Sequence, residues 1–120
     1  MLVASLGTPY EIQTEGTILF IEDIATKPYQ IHRMLMQLKL AGKFKGVRGI
    51  VFGEMMDCVQ PGEQNYTLQE VIKRELVELR IPVGFGLRSG HVSQRPNLCL
   101  PIGVAAEINV SENGVKVKIV

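Results

Sequence analysis

His91 is the residue of this chain whose type and setting most suggest chemistry. It lies in the stretch Gly84–Gly103, GFGLRSGHVSQRPNLCLPIG. A short apolar run (Ile81, Val83, Phe85, Leu87) leads into it, and Gly86 and Gly90 permit backbone angles that other residues resist. A histidine on a glycine-flanked loop after a buried strand stands where catalytic groups collect; a solvated loop histidine is the plainer reading. Carboxylates that could serve it fall at two other places, Glu22-Asp23 and Glu54 with Asp57. Ser89, Ser93 and Cys58 are the hydroxyls and thiol that topology could bring near. His32 is the second histidine and reads as a boundary residue of a helix.

These residues need elements to position them. Thr17–Ile21 (TILFI) is a continuous apolar run ending at Glu22-Asp23, which suits a strand buried on both faces. Pro28 fits a helix's first turn, the spacing Ile31, Met34, Leu35, Leu38 is helical, and Gly42 is the stop. Gly46–Gly53 (GVRGIVFG) is the second strand, and Glu54–Gln64 is a loop with a Pro61-Gly62 turn signal. Thr67 and Glu70 have capping-box spacing at the start of a second helix carrying Leu68, Val71, Ile72, Leu76 and Leu79. Val83–Leu87 is the third strand. Strand, helix, strand, helix, strand implies a parallel sheet. Beyond the histidine loop, Leu98–Leu100, Val104–Val110 and Val115–Val120 read as short strands, the last two forming a hairpin around Asn113-Gly114. The fold class is α/β, a parallel βαβαβ unit with an added antiparallel hairpin. Met1–Glu15 shows no clear period and reads as a linker or the tail of an upstream element, with the domain proper spanning 16–120.

Composition bounds the function. At 120 residues with 46% apolar and 21% charged residues, one domain with a real core is expected. Thirteen Lys and Arg against twelve Asp and Glu give a net charge of +1, so no nucleic-acid or membrane-surface partner is indicated. No apolar run reaches the roughly 18 residues of a membrane helix, and the amino terminus does not read as a signal peptide; a cytoplasmic location is expected. Cys58 and Cys99 make neither a disulfide framework nor a zinc site and are expected as small buried hydrophobes.

The parallel topology gathers the candidates at one sheet edge, beyond the carboxyl ends of the strands. The first strand delivers Glu22 and Asp23, the second Glu54 and Asp57, the third Arg88, Ser89 and His91. A carboxylate beside a histidine fixes its tautomer and stabilises the imidazolium, so Glu22 and His91 are the expected pair. A nucleophile is less evident. Ser89 and Ser93 lie two positions from His91, which rarely has the needed geometry. Cys58 would make a Cys-His-Glu site, but nothing marks its thiol as activated. A metal held by Glu22, Asp57, His32 and His91 has no ligand motif behind it. The residues offer an acid–base pair without an obvious nucleophile, and neither cofactor nor metal is expected.

The blocks EGTILFIEDIATKPYQIHRMLMQLKLAG, GIVFGEMMDC and IPVGFGLRSGH…N…LPIG resemble the carboxy-terminal domain of the LD-carboxypeptidase family. These are serine peptidases that include muramoyltetrapeptide carboxypeptidases and microcin-immunity peptidases. The resemblance runs from about Gly7 to the end and implies a swivelling β/β/α-like domain. It gives Glu22 and His91 the catalytic roles, with the serine, in a G-x-S-D context, and the oxyanion donors coming from an amino-terminal domain. No G-x-S-D occurs here. The resemblance further implies release of a terminal D-amino acid from a murein tetrapeptide in cytoplasmic cell-wall recycling, with this half inactive alone. Arg88 and Arg95 are expected to help hold a substrate carboxylate. A partner-facing surface is implied too, with Leu2, Val3 and Leu6 on it and self-association into a homo-oligomer through it. Two other readings stay open. One is a non-enzymatic module binding peptides or a partner. The other is a phosphohistidine carrier, for which the Gly-Gly and Ser-His context is wanting.

Overall fold

The computed structural model describes residues 1–60, 62 and 65–120. Pro61, the first residue of the expected Pro61-Gly62 turn, lies outside them. The chain opens with a 3-10 turn at Val3–Ser5, then runs β1 (Ile18–Ile21), α1 (Pro28–Leu40), β2 (Gly49–Gly53) and α2 (Leu68–Leu76). A 3-10 turn over Val77–Leu79 leads into β3 (Val83–Leu87), and β4 (Ala106–Ser111) and β5 (Gly114–Ile119) close the chain. The first three strands form a parallel sheet in the order β1-β2-β3, and β4-β5 is a separate antiparallel pair.

Local chemistry sets the helix ends. Pro28 occupies the first position of α1, where its missing N–H costs nothing. At the other end Gly42 turns left-handed, with φ 71°. Lys43 N–H then reaches back to the Leu38 carbonyl and Gly42 N–H to that of Lys39, the two bonds of a Schellman stop. Thr67 and Glu70 form the expected capping box at α2: Thr67 Oγ1 accepts from Glu70 N–H at 3.2 Å, and Glu70 Oε2 accepts from Thr67 N–H at 2.6 Å.

Strand β2 is the spine of the fold. Every one of its residues is buried, as its uninterrupted apolar run requires. Because parallel partners share a face, Leu19, Ile50, Phe52 and Val83 point one way. There they meet Ile31, Leu35, Leu38, Ile72 and Leu76 of the two helices in a single core. Gly49 and Gly84 point the other way, and the hairpin rests on them: Ile108 sits against Gly49 and Val115 against Gly84. The hairpin alternates as its sequence does, with Ala106, Ile108, Val115 and Val117 half-buried between exposed neighbours.

Four expectations are corrected. β1 lies at the outside of the sheet and the hairpin covers β2 and β3 rather than β1, so Leu19 alone of its residues is buried. Leu98–Leu100 is not a strand: Pro96 and Pro101 flank it and cannot donate to a ladder, and Leu98 N–H bonds the Arg88 carbonyl at 2.7 Å instead. Leu2, Val3 and Leu6 do not stand on an open face; with Ile12 they are half-buried against the core. Cys58 is buried as expected, but Cys99 is exposed. The amino-terminal segment is tied down further by Lys43, whose Nζ meets Glu11 Oε1 at 2.7 Å and donates to the Ile12 carbonyl at 3.1 Å.

Candidate active site

Strand ends and one bulge build the site. Glu22 directly succeeds the last residue of β1, and Glu54 the last residue of β2. In β3 the register changes: Val51 pairs with Gly84, but Gly53 pairs with Leu87, so β3 carries one extra residue. Gly86, with φ 88°, sits in that bulge. A bulge bends its strand and re-aims the residues beyond it, and here it delivers Ser89, Gly90 and His91 across the end of β2 toward β1.

The two glycines nearest Glu22 make its slot. A β-carbon on Gly53 would lie 2.7 Å from Glu22 Cγ, and one on Gly90 would lie 2.6 Å from its Cδ. The carboxylate is thereby held with its side chain 15% exposed. Its Oε1 accepts twice from the same residue, from His91 Nδ1 at 2.9 Å and from the His91 backbone N–H at 3.1 Å. The ring itself is 56% exposed. Donating the Nδ1 proton to a carboxylate leaves the lone pair on Nε2, and no described residue hydrogen-bonds that atom. An imidazole so posed is a general base.

The loop around His91 has further ties. Asn97 Nδ2 donates to the Gly90 carbonyl at 2.8 Å. Ser93 N–H donates to Glu54 Oε2 at 2.7 Å. The Ser93 hydroxyl and amide, in that order, and then the positive charge of Arg88 hold the Glu54 carboxyl below the usual carboxylate range. Arg88 and Arg95 are both exposed, and neither guanidinium pairs with a carboxylate among the described residues. They flank His91 with their charge available.

The other candidates do not join this group. Ser89 is buried and Ser93 exposed, and no described hydroxyl hydrogen-bonds His91. Cys58 donates to the Asp23 carbonyl, Sγ to O 3.6 Å, and burial pushes its thiol pKa up, the nearby charges of Asp23, Glu22 and Asp57 adding to this. It is neither activated nor in contact with His91. His32 lies between the helices, with Nε2 3.1 Å from Glu75 Oε1, and Asp57 is exposed. Glu22, Asp57, His32 and His91 therefore do not converge, and no group of three or more His, Cys, Asp or Glu among the described residues is arranged to hold a metal ion.

Two features carried little sequence signal. Glu54 stood out as a strand-end carboxylate, yet its bond to Ser93 depends on the bulge. Ala25, Met55 and Asp57 adopt left-handed backbone angles, φ 53°, 53° and 55°, in the loops beyond β1 and β2. Those loops are joined by Ala25 N–H to the Met56 carbonyl at 2.8 Å. No glycine marks these turns, and of the three only Asp57 is of a type that adopts such angles readily.

Comparison with known proteins identifies the family and the fold. Residues 1–108 match the family model described as the LD-carboxypeptidase C-terminal domain. A probable murein peptide carboxypeptidase of Bacillus subtilis is 41% identical over 113 residues, 93% of this chain and 35% of that protein. The microcin C7 self-immunity protein of Escherichia coli is 34% identical over 104 residues, 85% of this chain and 29% of that protein. The crystal structure of a muramoyltetrapeptide carboxypeptidase from Oxalobacter formigenes superposes with a TM-score of 0.84 at 30% identity, covering 99% of this chain and 41% of that one. The chain spans about a third of the length of the curated relatives it matches. With a family model matching nearly its whole length, this chain belongs to the LD-carboxypeptidase family as a C-terminal domain.

Proposed function

We propose that this domain is the histidine–glutamate half of a serine LD-carboxypeptidase, with the nucleophilic serine and the oxyanion donors supplied by a second domain. The observation that carries the reading is the 2.9 Å contact between Glu22 Oε1 and His91 Nδ1, with Nε2 directed at no protein group described here. In the mechanism, His91 Nε2 takes the proton from the serine hydroxyl as its oxygen attacks the peptide carbonyl. Glu22 holds the ring and stabilises the imidazolium. The same Nε2 proton then passes to the leaving amine, and His91 activates the water that hydrolyses the acyl-enzyme.

The proposed substrate is a murein tetrapeptide, cut before its terminal D-amino acid during peptidoglycan recycling in the cytoplasm. The names of the Bacillus and Oxalobacter relatives support this substrate class. A carboxypeptidase must recognise a free carboxylate, and Arg88 and Arg95 are the exposed cations beside His91 suited to it. Alone, the domain is expected to hydrolyse nothing, because the oxyanion hole and nucleophile carry most of the rate. The exposed apolar residues Leu98, at the close of the histidine loop, and Ile102 and Val104 beyond it suit contact with a partner domain or a second copy.

The test is complementation. Adding a serine domain from a family member to this chain should restore release of D-alanine from a tetrapeptide, and His91→Ala should abolish it. A folded, associated pair that releases none would overturn the reading. A biological effect that survives His91→Ala would favour a non-enzymatic binding module.

A further inference from the structure

We propose that Glu54 is a second positioning residue for His91, anchoring the far side of the histidine loop while Glu22 anchors the ring. The inference rests on the reading of His91 as the general base. β1 and β2 are neighbours in the sheet, and their register sets Ile21 beside Phe52. Glu22 and Glu54 therefore emerge from adjacent strand ends, one residue out of step. Each accepts a backbone N–H of the loop, Glu22 from His91 at 3.1 Å and Glu54 from Ser93 at 2.7 Å.

The remaining hydrogen bonds of this loop among the described residues are internal. Leu98 N–H to Arg88 O and Asn97 Nδ2 to Gly90 O close the loop on itself, and Ser89 N–H to Leu87 O tightens its entry. Among the described residues, the two carboxylates alone tie its tip to the sheet by hydrogen bonds. One anchor at His91 leaves the segment free to pivot about that contact; a second anchor two residues on removes the pivot. The ring is half-exposed and has little packing of its own, so its orientation depends on where the backbone under it is held. Hydrogen bonding from Ser93 keeps Glu54 ionised, and a charged acceptor binds an amide more strongly than a neutral one.

The test is made on this chain, labelled with nitrogen-15, in Glu54→Ala, Glu54→Asp and Glu54→Gln. Alanine removes the acceptor, aspartate keeps the charge but shortens the reach, and glutamine keeps an acceptor without charge. Exchange of the Ser93 amide should speed up roughly tenfold or more in Glu54→Ala and Glu54→Asp, the scale of a lost hydrogen bond to a charged group. The His91 ring nitrogens should move from a single Nδ1–H tautomer toward a mixture. Glu54→Gln, which keeps an acceptor but loses the charge, should recover part of both signals and fall between wild type and Glu54→Ala. Aspartate covers the case in which alanine unfolds the chain. Wild-type exchange and tautomer in both Glu54→Ala and Glu54→Asp would overturn the proposal, and so would a glutamine variant as disturbed as alanine. An intact clamp in a chain that fails complementation would sink the functional reading while leaving this one standing.

Discussion

Gly90 leaves the space that Glu22 fills: a β-carbon at position 90 would lie 2.6 Å from the Glu22 carboxyl carbon and 2.7 Å from Oε2. The backbone there is also left-handed, with φ 92°. Gly90→Ala therefore meets two obstacles, a collision and a disfavoured conformation, and is expected to destabilise the chain by about 2–4 kcal/mol. Gly103→Ala is the control, since Gly103 has φ 77° and open space around it. It should cost only the conformational part, about 1 kcal/mol. Urea unfolding of the two variants measures the difference, and equal losses would mean that Glu22 moves aside freely.

Gly84 has a different partner. A β-carbon on it would come within 2.3 Å of Val115 Cγ2, where the hairpin lies across β3. Its φ is not left-handed, so the clash acts alone. Gly84→Ala should cost about 1–3 kcal/mol, the range for overpacking. Val115→Ala removes the obstructing methyls and should recover much of that loss in the double variant. A double-mutant cycle reads the coupling; strictly additive losses would show that the hairpin does not rest on Gly84.

The parts of this fold that depend on short-range chemistry were legible from the residues themselves. Pro28, Gly42 and the Thr67–Glu70 pair mark helix ends because capping needs those residue types at those spacings. The central strand was legible because uninterrupted apolar runs have one common home. The meeting of Glu22 and His91 came from parallel topology, since strand ends share an edge. The Glu54–Ser93 bond did not, because it depends on one extra residue in β3 that shifts the loop by a register. The exposure of Cys99 and the docking of Leu2, Val3 and Leu6 were likewise out of reach. Both depend on which surface a neighbouring segment happens to cover.

The two cysteines should separate cleanly by reactivity. Cys58 is buried, and burial raises its thiol pKa above the ordinary value. The thiolate is the reacting species. Iodoacetamide at neutral pH should therefore modify Cys99 in the native chain and leave Cys58 until the chain is unfolded. Peptide mapping by mass spectrometry gives the order, and early labelling of Cys58 would contradict the buried placement.

Acid should loosen the amino-terminal segment. The Glu11 carboxyl is held below its ordinary range, first by the hydrogen bond from Lys43 and then by the Gly7 N–H. A carboxylate whose folded pKa is depressed contributes stability that is fully present above its unfolded value and is lost as the pH falls through the folded one. Protonation would leave the largely buried Lys43 ammonium with the Ile12 carbonyl as its remaining described acceptor. Thermal unfolding midpoints should fall below the ordinary carboxylate range, and Glu11→Gln should flatten that part of the profile. Glu54 and Glu70 are depressed as well and act with the same sign, so some acid dependence should persist in the single variant. A profile unchanged by Glu11→Gln would show that the Lys43 pair contributes nothing to acid stability.

Glu22→Gln tests the proposed chemistry most sharply. The amide matches the carboxylate in size, so the slot between Gly53 and Gly90 remains filled. Its carbonyl oxygen can accept both of the His91 bonds that Oε1 accepts, but the amide carries no charge to stabilise the imidazolium, and an NH2 group turned toward the ring donates to Nδ1 and leaves the ring proton on Nε2. In serine-protease triads, the equivalent change leaves geometry intact and favours the wrong tautomer, lowering kcat about 10^4-fold. The complemented enzyme should behave likewise, losing roughly three to four orders of magnitude in kcat with KM little changed. Arg88→Ala and Arg95→Ala, if these arginines hold the substrate carboxylate, should instead raise KM. A Glu22→Gln variant that keeps wild-type kcat would show that His91 does not need the Glu22 carboxylate, even though the two are 2.9 Å apart.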